Sequence, residues 1–281
     1  MQPIVAVIAA GMMGSGIGGR LAQHGIEVRT ALEGRSEASV KRAKSAGMIA
    51  ATDAQIADCD FILSIVPPGE AQGLADRLAP ALRAAAKKPI YVDCNAVSPP
   101  TVLRIARTIE ESGATFVDGG IIGGPPAPGS KGTKIYVSGP AAARVELLEK
   151  YGLEIKLQAG PIGAASAMKM SYAGITKGFT ALGTAMMLAA ARAGTTDALR
   201  AELSASQPAL YGWLTRQMPK MYSKAYRWVA EMEEISGFVG EDPAAAQFFQ
   251  AASRLYERIA ADHTGEGAEC AALDAFCEAN K

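Results

Sequence analysis

Along the first 160 residues, short apolar runs alternate with amphipathic stretches. Ile4–Ala9 is continuously apolar, as expected of a strand buried on both faces. A helical pattern follows over Met13–His24, and Gly25 stops it. Further strands are predicted at Ile26–Ala31, Phe61–Val66 (closed by Pro67-Pro68), Ile90–Asp93, Thr115–Asp118, Lys134–Ser138 and Glu154–Gln158. Ser98-Pro99 opens a helix running to about Ser112, with proline just inside its start, and another helix is predicted over Ala141–Tyr151. Strands alternating with helices in this way imply βαβ units and a mainly parallel sheet. Right-handed crossovers then make that sheet doubly wound.

After Gly160-Pro161 no strand pattern remains. One long helix is predicted over Ala164–Ala193, ended by Gly194, and the remainder is helical with breaks at Gln207-Pro208, Gly237–Pro243 and Thr264–Gly267. The expected organisation is α/β: a doubly wound domain over residues 1–160, then an all-helical domain over 161–281 entered through the long interdomain helix. Gly174, Gly178 and Gly183 lie inside that helix, where each costs about 1 kcal/mol against alanine. Their small size predicts close approach of another helix, and a homodimer built on the helical domain is the expected assembly.

Composition narrows the function. Lys and Arg total 28 and Asp and Glu total 28, with no basic stripe, so nucleic acid is not an expected partner. No uninterrupted apolar run reaches the roughly 18 residues of a membrane span, and the N-terminus lacks the basic start of a signal peptide. Cys59, Cys94, Cys270 and Cys277 show no metal or redox spacing. Reduced thiols, no metal, a cytoplasmic setting and a small-molecule substrate are the expectations.

The segment Val5-Ala6-Val7-Ile8-Ala9-Ala10-Gly11-Met12-Met13-Gly14 joins a buried strand to a helix. It follows the G-x-G-x-x-G fingerprint of a Rossmann-type dinucleotide site, with Ala9 in the first glycine's place. Gly11 admits the backbone to a pyrophosphate, and Gly14 lets helix pack on strand. The helix start offers N–H groups and a positive dipole end, placing Gly11, Met12, Met13 and Gly14 at the cofactor. At the end of the second strand, Arg35 and Ser36 suit a 2′-phosphate, whereas Glu33 suits a ribose hydroxyl. NADP is the expected cofactor and NAD the alternative. Val66 and Pro67, closing a strand, and Asn95 are further cofactor candidates.

These motifs, in this order, resemble the β-hydroxyacid dehydrogenase superfamily of 3-hydroxyisobutyrate and 6-phosphogluconate dehydrogenases. Asp93-Cys94-Asn95-Ala96-Val97-Ser98-Pro99 is similar to its D-x-S-T-x-S-P segment beside the nicotinamide. Asp118-Gly119-Gly120-Ile121-Ile122-Gly123-Gly124 is similar to its substrate segment D-A-P-V-S-G-G. Gly163–Lys169 is similar to the motif whose lysine is the catalytic acid/base. The resemblance implies a Rossmann domain, a helical domain, usually a dimer, and Lys169 as catalytic residue. Ile122, Gly123, Gly124 and Tyr172 become substrate-binding candidates. There are departures. Ile122 replaces a serine, Tyr172 and Ala173 stand where asparagines follow the lysine, and the later substrate-side lysine has no match. The C-terminal third resembles a divergent phosphogluconate-dehydrogenase-like subgroup carrying Lys-Met-Ser-Tyr-Ala-Gly-Ile-Thr-Lys-Gly.

Lysine in the apolar stretch Ala164–Met170 loses solvation on burial, which lowers its pKa and lets it exchange a proton with a substrate oxygen. Lys177 reads as structural or interfacial. Glu231, Glu233 and Glu234 read as a solvated face, with Arg227 and Glu231 spaced to pair. Pro125–Gly129 reads as a rigid loop by the pocket, and Met168, Met170, Met186, Met187, Trp213 and Trp228 as core. His24 and His263 have no catalytic company. The leading expectation is an NADP-preferring oxidoreductase acting on a small hydroxy compound or its carbonyl counterpart. The alternatives are an imine reductase-like enzyme and a non-catalytic nucleotide-binding or redox-sensing protein.

Overall fold

The computed structural model describes residues 2–126 and 132–278. The chain forms two compact units, Met1–Met170 and Ser171–Lys281. The composition changes at Gly160-Pro161, but the units divide ten residues later, inside the long helix, because the helix's first turns pack on the sheet.

The first unit runs β1 (Ile4–Ile8), α1 (Met12–Gln23), β2 (Glu27–Thr30), α2 (Glu37–Ser45), β3 (Ile49–Ala50), α3 (Asp53–Ala57), β4 (Phe61–Ser64), α4 (Ala71–Ala84), β5 (Ile90–Asp93), α5 (Pro99–Glu111), β6 (Thr115–Ile122), β7 (Lys134–Ser138) and β8 (Glu154–Leu157). Among the described residues, eight strands form one sheet in the order β3-β2-β1-β4-β5-β6-β7-β8. Strands β1 to β6 are parallel, β7 runs antiparallel to β6, and β8 is parallel to β7. The first six strands have the order of a Rossmann sheet, whose direction reverses between β1 and β4.

Because both faces are covered, the central strands are apolar throughout. Val5, Val7, Ile17, Leu21 and Val28 pack on one side. Ala6, Ile62, Leu78, Tyr91, Ile105 and Phe116 pack on the other. The predicted strands all form, and β6 extends four residues beyond the predicted Asp118. The predicted helix at 141–151 is instead a ten-residue 3₁₀ stretch, Ala142–Tyr151, ended by Gly152 at φ +83°. Polar α2 and two-residue β3 have little apolar periodicity to announce them. Short α3 does carry a signal, the capping box of Thr52 and Gln55.

Helix α6 (Ala164–Arg192) begins in the first unit and continues in the second. There it is followed by α7 (Thr196–Ser206), α8 (Pro208–Met221), α9 (Ala225–Phe238), α10 (Pro243–Thr264) and α11 (Ala268–Glu278). The α6 glycines do admit close neighbours, and these come from the same chain. Side-chain atoms of Phe249 lie 3.3 Å from where a Cβ would stand at Gly174, those of Phe248 3.4 Å from Gly178, and those of Leu214 2.6 Å from Gly183. Met170 and Met187 are core, but Met186 is exposed, contrary to expectation, because it falls on the exposed row of α6 with Ile175, Phe179 and Leu182. Among the described residues no helix is long and apolar enough to cross a membrane. Of the proline-rich segment 125–129, residues 127–129 lie outside the described residues.

Candidate functional site: the C-terminal edge of the sheet

The turn from β1 to α1 is built for close approach. A Cβ at Gly14 would stand 1.9 Å from the Ala9 carbonyl oxygen, so only glycine lets α1 start this near the strand. At Gly11 nothing lies within 4 Å of the same point, so the space before the helix is open. Gly11 is also the N-cap of α1, and it has no side chain to satisfy the first-turn N–H groups. These donors, at the strand-order reversal, fit a dinucleotide pyrophosphate. Ala9 stands in the first fingerprint glycine's place and is buried in the same core cluster as Ala6, Ile8 and Ala31. Met12 is exposed, while Met13 packs on the core. Arg42 donates from Nε to the Ala10 carbonyl at 3.2 Å, a support for the loop that sequence reasoning missed.

Beyond β1, β2 and β4 lies a cleft of about 390 Å³ lined by Ala9, Ala31, Arg35, Val66, Glu70 and Arg77, among others. Arg35 reaches it and stands 3.8 Å from Glu70, and Arg77 pairs with Asp53 at 3.4 Å. Ser36 is engaged elsewhere. Its Oγ accepts from the Ser39 N–H at 3.3 Å as the N-cap of α2.

Asn95 lies buried just past β5, and its side chain is already committed. Its Oδ1 accepts from the Val66 N–H at 2.7 Å, and its Nδ2 donates to Ser64 Oγ at 2.8 Å and to Asp93 Oδ2 at 3.0 Å. Asn95 therefore ties the ends of β4 and β5 together and holds the Val66-Pro67 turn. Burial pushes the Asp93 carboxyl up to about 7, against the pull of the two Asn95 N–H bonds and with a contribution from Asp118.

Lys169 is placed by β6. Asp93 pairs with Asp118, so Gly119–Ile122 project past the end of β5. Asp118 is fully buried. Its Oδ2 accepts from the Gly163 N–H at 2.9 Å, the Ser166 N–H at 3.0 Å and the Ser138 hydroxyl at 2.9 Å. Its Oδ1 accepts the Ser166 hydroxyl at 2.6 Å. Ser138 Oγ in turn accepts from the Ala165 N–H at 2.9 Å. The Asp118 carboxyl group thus caps α6, satisfying N–H donors at the helix start. One turn on, half-buried Lys169 lies over Gly120.

Ile122 ends β6 opposite Lys134. Gly123 has φ +118° with the Gly132 carbonyl close against it, and the Gly124 carbonyl accepts the Thr133 hydroxyl at 2.5 Å. Tyr172 belongs to the second unit and is half-exposed on α6. In that unit, Glu231 pairs with Lys177 rather than Arg227. The pair is mostly buried, and the ammonium sits 5.0 Å from the Trp228 ring centre. Glu231 is thus not part of a solvated face, because the fold brings α6 and α9 side by side.

Comparison with known proteins agrees with this geometry. Residues 4–156 match the family described as the NAD binding domain of 6-phosphogluconate dehydrogenase, and residues 190–259 match a domain family of unknown function. An uncharacterised 28.5 kDa protein of Methanothermus fervidus is 34% identical over 159 residues, which cover 56% of this chain and 59% of that protein. A conserved protein of unknown function, whose structure is described as similar to 3-hydroxyacid dehydrogenases, shares 30% identity at a TM-score of 0.68 over 94% of this chain and 98% of its own. The fold is also that of Mycobacterium tuberculosis 3-hydroxyisobutyrate dehydrogenase (17% identity, TM-score 0.73, covering 94% and 95%). A Streptomyces aurantiacus imine reductase shares it as well (19%, 0.57, covering 96% and 97%). With an uncapped glycine turn at the strand-order reversal and a match over more than half its length, this chain belongs to the family defined by the NAD binding domain of 6-phosphogluconate dehydrogenase.

Proposed function

We propose that this chain is an NADP-preferring oxidoreductase acting on a small hydroxy compound or its carbonyl counterpart, with Lys169 as general acid/base. One observation carries the reading. A single compact unit holds both an open, uncapped helix start suited to a pyrophosphate and, past the same sheet edge, a lysine seated on β6. The nicotinamide supplies hydride acceptance or donation. Lys169 moves the proton on the substrate oxygen, and Gly11–Gly14 hold the phosphates. Arg35 meets the 2′-phosphate. Asn95, its side chain committed, serves the cofactor by fixing the Val66-Pro67 turn. Ile122, Gly123 and Gly124 border the substrate from the end of β6.

The test is a fluorescence titration with NADPH and NADH, followed by turnover assays on 3-hydroxyisobutyrate, glyoxylate and 2-methyl-1-pyrroline. Tighter NADPH binding with turnover of the first two compounds supports the reading. Turnover of the imine alone makes the chain an imine reductase. Binding without turnover on a broad panel of hydroxy acids, aldehydes and imines makes it a nucleotide sensor.

The assembly reading is a homodimer through α6. Tyr172, Ile175, Phe179, Leu182 and Met186 are 48% to 64% exposed. They recur at alternating steps of three and four, the spacing of a helix–helix seam. Such side chains each present on the order of 100 Å². Two copies therefore approach the roughly 1,000 Å² of a specific interface. In a two-fold dimer the seam would meet the same seam of a second copy.

A further inference from the structure

Asp118 and Gly120 alternate along β6, so they share the face of the strand that meets α6, while Gly119 faces the other way. A Cβ at position 120 would stand 3.0 Å from Lys169 Cβ and 3.1 Å from the Ala165 carbonyl oxygen. A Cβ at position 119 would stand 2.8 Å from the Asp93 carbonyl oxygen and 3.2 Å from Cys94 Sγ, on β5 and beside it. The two glycines are comparably crowded, and only one of them touches the lysine's surroundings.

Resting on the reading of Lys169 as acid/base, we propose that Asp118 and Gly120 are its positioning residues. Asp118 clamps the start of α6 by hydrogen bonds from Gly163, Ser166 and Ser138. That clamp fixes the rotation and height of the helix. Gly120, a bare patch of strand, then lets the helix settle until the base of the Lys169 side chain rests on the backbone. The clamp and the patch lie two residues apart on one rigid strand. They set where the lysine leaves the helix, although neither reaches the reacting atoms.

The test compares Gly120→Ala with Gly119→Ala in the whole 281-residue chain, with thermal unfolding measured for both. Lysines are reductively methylated with ¹³C-formaldehyde, and the Lys169 resonance, identified by its loss in Lys169→Arg, is titrated by NMR. Both variants should lose thermal stability. Only Gly120→Ala should shift the Lys169 resonance and its titration midpoint. On the panel compound turned over fastest, only Gly120→Ala should lose kcat, by about tenfold with KM for NADPH unchanged, the scale expected when a reacting group is displaced by a fraction of an ångström. Should Gly120→Ala fail to fold, Ser166→Ala takes one hydrogen bond from Asp118 without adding atoms and should shift the same resonance. An unmoved Lys169 resonance, or equal shifts in both glycine variants, overturns the proposal. Turnover that survives Lys169→Ala overturns the acid/base reading and the seat with it. Turnover lost in Lys169→Ala but equal in the two glycine variants overturns the seat alone.

Discussion

Arg35 faces Glu70 at 3.8 Å across the mouth of the cleft beyond β2. An exposed pair of this kind contributes little to stability, so the guanidinium is available to a phosphate. Arg35→Ala should weaken NADPH binding roughly 10- to 100-fold, the scale of a lost hydrogen bond to a charged group, and leave NADH nearly unchanged. Titration of both cofactors checks it. If NADH is preferred and Arg35→Ala changes neither constant, selectivity lies with Glu33.

Lys169→Ala should leave NADPH affinity nearly intact, since the phosphates bind at Gly11–Gly14. Turnover should fall by about 100-fold or more, the usual loss for a general acid/base. Lys169→Arg should not restore it, because a guanidinium keeps its proton near neutral pH. Steady-state kinetics on the panel decide. Near-normal turnover in Lys169→Ala makes Tyr172 the next proton donor to test.

Gly14→Ala places a methyl group against the Ala9 carbonyl oxygen. Overpacking of this kind costs about 1–3 kcal/mol, and here the strain falls on the phosphate turn itself. Both the unfolding midpoint and NADPH affinity should drop. Unchanged values for both would mean that the turn relaxes freely.

Phe179→Glu, on the exposed seam of α6, should leave the monomer folded and abolish self-association. Light scattering at micromolar concentration should report a dimer for the native chain and a monomer for the variant. A native monomer would remove the assembly reading.

Asp93 holds its proton more tightly in the folded chain, to about 7, than in the unfolded chain, at about 4. Its contribution is fully present below the lower value, declines as pH rises between the two, and is flat above. Asp93→Asn should flatten that decline, as measured by chemical unfolding across the same interval. A pH dependence identical to the native chain's would assign the slope to other groups.

Strand placement and the glycine turn were legible in the sequence because they rest on local causes. A strand covered on both faces must be apolar throughout, as in Ile4–Ile8 and Phe61–Ser64. A helix that starts against a carbonyl needs glycine at position 14. The chain order of strands and helices, with the handedness of crossovers, was enough for the doubly wound sheet, and the change at Gly160-Pro161 marked where strands end. Only the tertiary structure decided which groups meet. Asp118 and Ser166 are separated by 48 residues, yet their side chains bond. Asn95, a cofactor candidate by position, proved committed to Ser64, Asp93 and Val66. Glu231 found Lys177 on another helix instead of its own neighbour Arg227. The glycines of α6 met Phe248, Phe249 and Leu214 of the same chain. Periodicity reports which face of an element is apolar; what stands against that face depends on distant chain brought in by the fold.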